Sequence, residues 1–240
     1  MKKIIFAGIS LATTAISCQK DGTPDSNPPV TYMSFTAGQA RNYMTTDNAT
    51  STSNNYTLTS TDMDSAVNGK SYHVFTNSMG PNEYYNITGN EYFQFATLPD
   101  ILGGTNEEML YLKINAAVGT NWNKQISVPV SGLPLPLVVT LTNSIAETGI
   151  TKVVNGISYS NVIKVETAVS VAGIPASAVA SDIDSYYAPK YGLIENHYVI
   201  GINYMGVVEN IDTQNKLMSA NFWAMIFFLL KKGKINFPFF

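Results

Sequence analysis

The sequence predicts an all-β protein: antiparallel, twisted sheets in two diverged β units, packed as a sandwich or as one strongly curved sheet. Three observations carry that expectation. Tyr, Thr, Ser, Asn and Gly are abundant, with 14 Tyr against two Trp, a mixture that suits strands joined by polar turns. No segment beyond residue 30 has the i, i+3, i+4 apolar spacing of a long helix. Two Asn-Gly pairs, Asn68-Gly69 and Asn155-Gly156, sit between strand formers. That is a strong hairpin signal, because a type I′ turn needs positive φ at both central residues.

Apolar alternation and turn residues then mark the elements in order. Strands are expected at Tyr56–Ser60, Ser71–Thr76, Tyr84–Ile87, Glu91–Thr97, Met109–Ile114 and Lys124–Val130, then at Leu137–Ile145, Gly149–Val154, Ser158–Val171, Tyr186–Ala188, Gly192–Tyr198 and Val207–Ile211. In Ser158–Val171 the valines Val162, Val165 and Val169 do not share one parity, so a bulge is expected there. Pro129, Pro134 and Pro136 must lie at strand ends or on an edge, because proline donates no ladder hydrogen bond.

The landmarks repeat. Val67-Asn68-Gly69-Lys70-Ser71-Tyr72 and Val154-Asn155-Gly156-Ile157-Ser158-Tyr159 agree at five of six positions. Ala37-Gly38 precedes the first pair as Val118-Gly119 precedes the second. Tyr84-Tyr85 and Tyr186-Tyr187 follow them. Order is kept while spacing grows, which reads as an internal duplication with longer loops in the second copy. The expected division is a signal peptide at 1–17, a lipidated cysteine and tether at 18–30, β units at 31–115 and 116–212, and an atypical apolar tail at 213–240.

The leader begins with basic Lys2-Lys3, continues with an apolar run from Ile4 to Ile16, and reaches Cys18 through Ala15-Ile16-Ser17. That run is too short to span a bilayer, which takes about 20 residues, and it has the layout of a removed signal. It resembles the lipobox of bacterial lipoproteins, with Ala15 where that motif prefers Leu. The resemblance implies that Cys18 becomes the mature N-terminus and carries acyl chains, each buried methylene adding about 0.8 kcal/mol. Cys18 is the only cysteine, so no intramolecular disulfide is available and stability must come from a packed core. Gln19 to Pro29 holds no large apolar residue and reads as a tether. Lys20-Asp21 resembles the charged signal that follows the cysteine in surface lipoproteins of the Bacteroidota.

Further in, Gly119-Thr120-Asn121-Trp122 resembles a G-x-x-W element of many Bacteroidota lipoproteins. Tyr186-Tyr187-Ala188-Pro189-Lys190-Tyr191-Gly192-Leu193-Ile194 is similar to their Y-Y-A element, and Asn161-Val162-Ile163-Lys164-Val165 to the strand before it. Two positions depart from the pattern: Arg41 stands where the first unit would carry Trp, and Lys190 where Gly is frequent. The chain thus resembles a group of uncharacterised envelope lipoproteins. That resemblance implies an outer-membrane address, at the cell surface or the periplasmic face, and a β fold. It carries no catalytic residues.

Chemistry-bearing residues are few. Charged side chains are 13% of the chain and the formal charge is −3, which excludes the clustered basic surface that nucleic acid needs. His73 and His197 are the only histidines; without thiolates they do not make a zinc set, and His73 is expected at a strand surface. Asp62-Met63-Asp64 and Asp182-Ile183-Asp184 put paired carboxylates on one side of an extended chain, yet neither is an EF-hand loop. No nucleophile elbow or phosphate-binding loop is present, and no cofactor is implied. Glu166 and Glu195 are the carboxylates to consider for glycoside hydrolysis. Aromatic residues are the better candidates: Trp122, Tyr85 and Tyr187 are the expected ligand-binding residues.

The expected function is therefore a lipid-anchored envelope protein, held to the membrane through Cys18 and binding a ligand or an envelope protein outside the cytoplasm. A carrier or chaperone for lipid or lipoprotein, with an apolar cavity, and a surface glycan hydrolase are the alternatives. Phe222 to Leu230 is a nine-residue apolar run followed by Lys231-Lys232-Gly233-Lys234. It reads as a buried end, an interfacial anchor or an extension past a natural end near Asn221, the last being preferred.

Overall fold

The structure, a computed structural model, describes residues 30–99, 102, 104–129, 136–204 and 207–222. The leader, Cys18, most of the tether, Pro134 and the tail beyond Phe222 lie outside the described residues.

Twelve strands form one antiparallel sheet. They are β1 (Ala40–Asp47), β2 (Thr52–Val67), β3 (Lys70–Asn77), β4 (Glu83–Thr88), β5 (Glu91–Thr97) and β6 (Asn106–Lys113), then β7 (Asn121–Val128), β8 (Leu137–Val154), β9 (Ile157–Val171), β10 (Val179–Ala188), β11 (Gly192–Tyr204) and β12 (Val207–Asn221). A 3-10 turn at Ala176–Ala178 leads into β10. The spatial order is β6-β5-β4-β3-β2-β1-β12-β11-β10-β9-β8-β7. Each half of the chain is therefore a six-stranded meander, and the two meanders join where β1 pairs with β12 from Ala40↔Asn221 to Asp47↔Thr213. Of the two expected arrangements, the strongly curved sheet is the one found; the sheet nearly closes on itself as a barrel and is not split into a sandwich.

The seam is where β6 and β7 face each other without a shared ladder. Side chains bridge it. Trp122 Nε1 donates to the Leu110 carbonyl at 2.7 Å, Lys124 meets Glu107 at 2.7 Å, and Lys113 Nζ lies 5.8 Å from the Trp122 ring.

Both Asn-Gly turns close hairpins, β2–β3 and β8–β9, with φ of 51° and 79° at Asn68 and Gly69 and of 50° and 77° at Asn155 and Gly156. The glycines before β1 and β7 are held alike: Gly38 N–H donates to Ser60 O and Gly119 N–H to Ile145 O, each at 2.8 Å. The expected bulge in β9 falls at Asn161, whose φ is 54°. There the pairing steps from Lys152↔Tyr159 to Ile150↔Val162.

Several elements differ from the expectation. β1 was not anticipated, because Arg41, Asn42 and Asp47 break up any apolar alternation around Tyr43, Thr45 and Thr46; it forms because β2 and β12 satisfy its backbone on both sides. Leu137–Ile145 and Gly149–Val154 are one bulged strand, β8. β12 runs through residue 212, the expected end of the second unit, to Asn221. The core lines the concave face in two groups. Tyr43, Phe75, Tyr92, Leu112, Val162, Tyr187 and Ile194 belong to one, together with Tyr32 and Met33. Leu98, Leu102, Ile126, Leu141, Val169 and Ile200 belong to the other.

Strand direction sorts the ends of the sheet. The chain enters at one end, where Thr31 O accepts from Lys190 N–H at 2.7 Å and Ser34 N–H donates to Lys190 O at 3.3 Å. Tyr32 donates its hydroxyl to Asn161 O at 2.6 Å. These contacts lay the entering segment across the β9 and β10–β11 bends and stopper that end. The β3–β4 turn, the β5–β6 loop and the start of β6 lie at the other end.

Candidate functional site

The end opposite the stopper holds a cavity of about 650 Å³. Its lining runs from Pro81, Asn82, Thr97 and Asn106 at the rim to Met33, Tyr111 and Tyr187 at depth, with Tyr43, Tyr56 and Tyr85 on the wall. Alternation along β10 aims Ile183, Ser185 and Tyr187 inward, where all three are buried. Tyr186 therefore faces out, with Lys152 Nζ 3.9 Å from its ring.

Tyr85 and Tyr187, two of the residues singled out in the sequence, are brought to this one cavity by a third. Tyr111 on β6 makes an edge contact with Tyr85 (ring centroids 6.1 Å apart) and a tilted contact with Tyr187 (5.4 Å). Tyr43 and Tyr56 stack at 5.2 Å. Tyr111 was missed in the sequence; its signal was only that it shares a parity with Met109 in an expected strand. Trp122 does not line the cavity. It is 9% exposed and occupied at the seam.

Among the cavity's charged groups Glu83 is the anion. Its Oε1 accepts from Asn77 Nδ2 at 2.8 Å, and its Oε2 accepts from the Tyr85 hydroxyl at 2.5 Å and from Gln94 Nε2 at 3.1 Å. No Lys, Arg or His is in the lining. The tyrosines are held protonated. Loss of solvent, with Glu83 adding to it, pushes the Tyr85 hydroxyl well above its usual value. Desolvation does the same at Tyr43 and Tyr111 and raises Tyr187 to about 12. At neutral pH these groups donate hydrogen bonds and do not act as phenolate nucleophiles. Beside this cavity, sharing Tyr111 and Tyr187, lies a smaller apolar space of about 190 Å³ under Leu98, Pro99 and Leu102.

Arg41 takes the place in the first unit that Trp122 holds in the second, three residues after the matching glycine. It is fully buried. Nε donates to Tyr191 O at 2.7 Å, and Nη2 donates to Ser34 O at 3.0 Å and to Lys190 O at 3.1 Å. Phe75 and Phe222 lie at 5.6 and 5.4 Å from the guanidinium carbon. Burial lowers its pKa, opposed by the tyrosines Tyr43, Tyr85 and Tyr111. Arg41 thus ties the entering segment and the β10–β11 turn to β1, as Trp122 ties β7 to β6.

His73, expected at a surface, is instead drawn into a relay. Its Nε2 lies 2.9 Å from Ser60 Oγ and its Nδ1 lies 2.9 Å from Asp64 Oδ1. Phe35 stacks on the ring at 4.9 Å. The three residues have the spacing of a serine-hydrolase triad, which is recognised by geometry and not by sequence order. Access is missing: Ser60 is 1% exposed, and its backbone N–H is bound to Gln39 O at 2.9 Å and offers no oxyanion contact. The relay sits where the β2–β3 ladder is interrupted between Ser60 and Asp64. Together with Thr61 Oγ1, which donates to Val74 O at 2.6 Å, it holds the two strands across that gap.

The remaining sequence candidates lie on the convex face, away from the cavity. Lys164 bridges Glu166 (2.7 Å) and Asp184 (2.9 Å), Lys152 meets Glu195 (2.9 Å), and His197 meets Asp212 (3.1 Å). Glu166 and Glu195 are thus each neutralised by a lysine and do not face each other across a cleft. Among the described residues no group of three or more His, Cys, Asp or Glu is placed to hold a metal ion, and no helix is long and apolar enough to cross a membrane.

No protein-family model and no curated protein matches the chain. A crystal structure described as a "putative lipoprotein" from Parabacteroides distasonis is similar to it. The two share 11% identity over 81% of this chain and 100% of that one, with a TM-score of 0.43. At that score the likeness decides neither fold detail nor function.

Proposed function

We propose that this protein is a lipid-anchored component of the cell envelope that holds a small ligand in the open end of its curved sheet. The observation that carries the reading is the cavity of about 650 Å³ lined by six tyrosines from the five strands β1, β2, β4, β6 and β10. Its size is that of sites that enclose a drug-sized ligand, about 300–1,000 Å³. The lipobox-like leader and the single cysteine support the anchor. The outer-membrane address, at the cell surface or the periplasmic face, rests on Lys20-Asp21 and the resemblance drawn from the sequence.

Two measurements test this. Cells fed an alkyne fatty acid should label the wild-type chain, and Cys18→Ser should abolish both the label and membrane association. A wild-type chain recovered from the cytosol with its leader uncut would overturn the anchor. Native mass spectrometry of the chain extracted from membranes should find a bound small molecule that Tyr85→Ala releases; a chain that takes up no small molecule of any class would overturn the binding role. A lipid carrier is a less favoured occupant class, because the lining includes Asn77, Asn82, Glu83, Gln94, Thr97 and Asn106 besides the tyrosine hydroxyls.

A further inference from the structure

Resting on that cavity reading, we infer that the ligand is a neutral sugar of one or two rings. A sugar ring presents two kinds of surface. Its faces carry C–H groups that pack on aromatic rings, and its edge carries hydroxyls that each donate and accept. The lining supplies both. Tyr85, Tyr111 and Tyr187 form a connected aromatic floor and wall. Around the rim stand amides, including Asn82 and Asn106, each carrying two donors and an acceptor.

Glu83 adds a directed acceptor. An ionised carboxylate has about four lone-pair sites. Asn77, Tyr85 and Gln94 occupy three, two on Oε2 and one on Oε1. The remaining site on Oε1 is an acceptor already fixed in place by neutral donors, ready for a ligand hydroxyl.

The same lining argues against other classes. It contains no cation to receive a phosphate or carboxylate ligand, and Glu83 repels an anion. An acyl chain would cover the rim amides and the remaining Glu83 acceptor site without offering them a hydrogen bond, at a cost of about 1–3 kcal/mol for each group left unpaired. An organic ammonium would suit a tyrosine cage, but the fully buried Arg41 acts electrostatically on Tyr43, Tyr85 and Tyr111 of that wall, and its positive charge opposes a second cation.

The test is calorimetric titration of the full chain in detergent with maltose, cellobiose, lactose and chitobiose, and in parallel with oleate and with choline. At least one disaccharide should bind with Kd of about 1 mM or tighter, and the affinity should not change between low and high salt, because no charge is exchanged. Glu83→Gln should weaken binding roughly tenfold, and Asn106→Ala, at the exposed rim where folding is not at stake, should weaken it measurably as well. Binding of oleate or choline but of no disaccharide overturns the sugar while sparing the cavity reading. Binding of none of the six overturns the sugar, and native mass spectrometry that finds no bound small molecule of any class overturns the cavity reading with it. Disaccharide affinity unchanged in both variants overturns the assignment of this cavity.

Discussion

Replacing Trp122 by Phe isolates what closes the sheet. The seam between β6 and β7 lacks a backbone ladder, and the Trp122 indole supplies a hydrogen bond across it, 2.7 Å to Leu110 O. Phe keeps an aromatic ring and removes the donor. A carbonyl left unpaired costs about 1–3 kcal/mol. The ring is also smaller by about 40 Å³, which at about 24 cal/mol per Å³ adds about 1 kcal/mol. The expected loss is therefore about 2–4 kcal/mol, a large share of a typical stability of about 5–15 kcal/mol. Lys124→Ala is the comparison. It breaks the Lys124–Glu107 pair, whose side chains are 30% and 29% exposed, and such pairs contribute about 0.2–1 kcal/mol. Urea unfolding followed by far-UV circular dichroism reads both variants, and amide exchange along β6 and β7 reads the seam itself. If Trp122→Phe moves the stability by less than about 0.5 kcal/mol, or exchange at β6 and β7 stays at the wild-type rate, the seam is not held by this residue.

Three further outcomes are expected. Gly69→Ala and Gly156→Ala meet nothing within 4 Å of an added Cβ, so each should cost only the backbone penalty at positive φ, about 1–2 kcal/mol, and near-equal drops in Tm should result; a loss several times larger at one turn would show that packing, not conformation, governs it. Alkaline pH should unfold the protein: Tyr43 and Tyr187 ionise near 10 when unfolded but later when folded, Tyr187 at about 12, so their contribution is complete below about pH 10 and falls by up to about 1.4 kcal/mol per pH unit per group above it. Absorbance at 295 nm and circular dichroism should therefore change together, and tyrosines titrating near 10 with the fold intact would refute this. Ser60 should remain unlabelled by a fluorophosphonate probe, and Ser60→Ala should lower stability by about 1–3 kcal/mol by leaving His73 short of a partner; covalent labelling of Ser60 would show that the relay opens.

The strands near the Asn-Gly turns were legible because their signals are local. Asn68-Gly69 and Asn155-Gly156 permit a backbone that few other pairs permit, and Glu91–Thr97 gathers the strand formers Tyr92, Phe93 and Phe95 within seven residues. β1 was not legible, because Arg41, Asn42 and Asp47 interrupt its apolar pattern and its partners lie at β2 and, some 170 residues away, at β12. The Ser60–His73–Asp64 relay was hidden for a related reason. A bulge sets which residues of β2 and β3 face each other, and register is a property of the pair.

At the cavity, the aromatic candidates Tyr85 and Tyr187 were legible as residue types. That Tyr85 and Tyr187 share one space, and that Trp122 is kept out of it, depended on how far the sheet curls and where its edges meet. By itself the sequence determined a disulfide-free all-β chain with type I′ hairpins at Asn68-Gly69 and Asn155-Gly156, since composition and turn stereochemistry act over a few residues. Only the tertiary structure decided that two meanders join through β1 and β12, that β6 and β7 meet at a side-chain seam, and that tyrosines from five strands converge on one cavity. Those outcomes follow from long-range pairing and sheet curvature, which sum small twists over twelve strands and which no local stretch of the chain encodes.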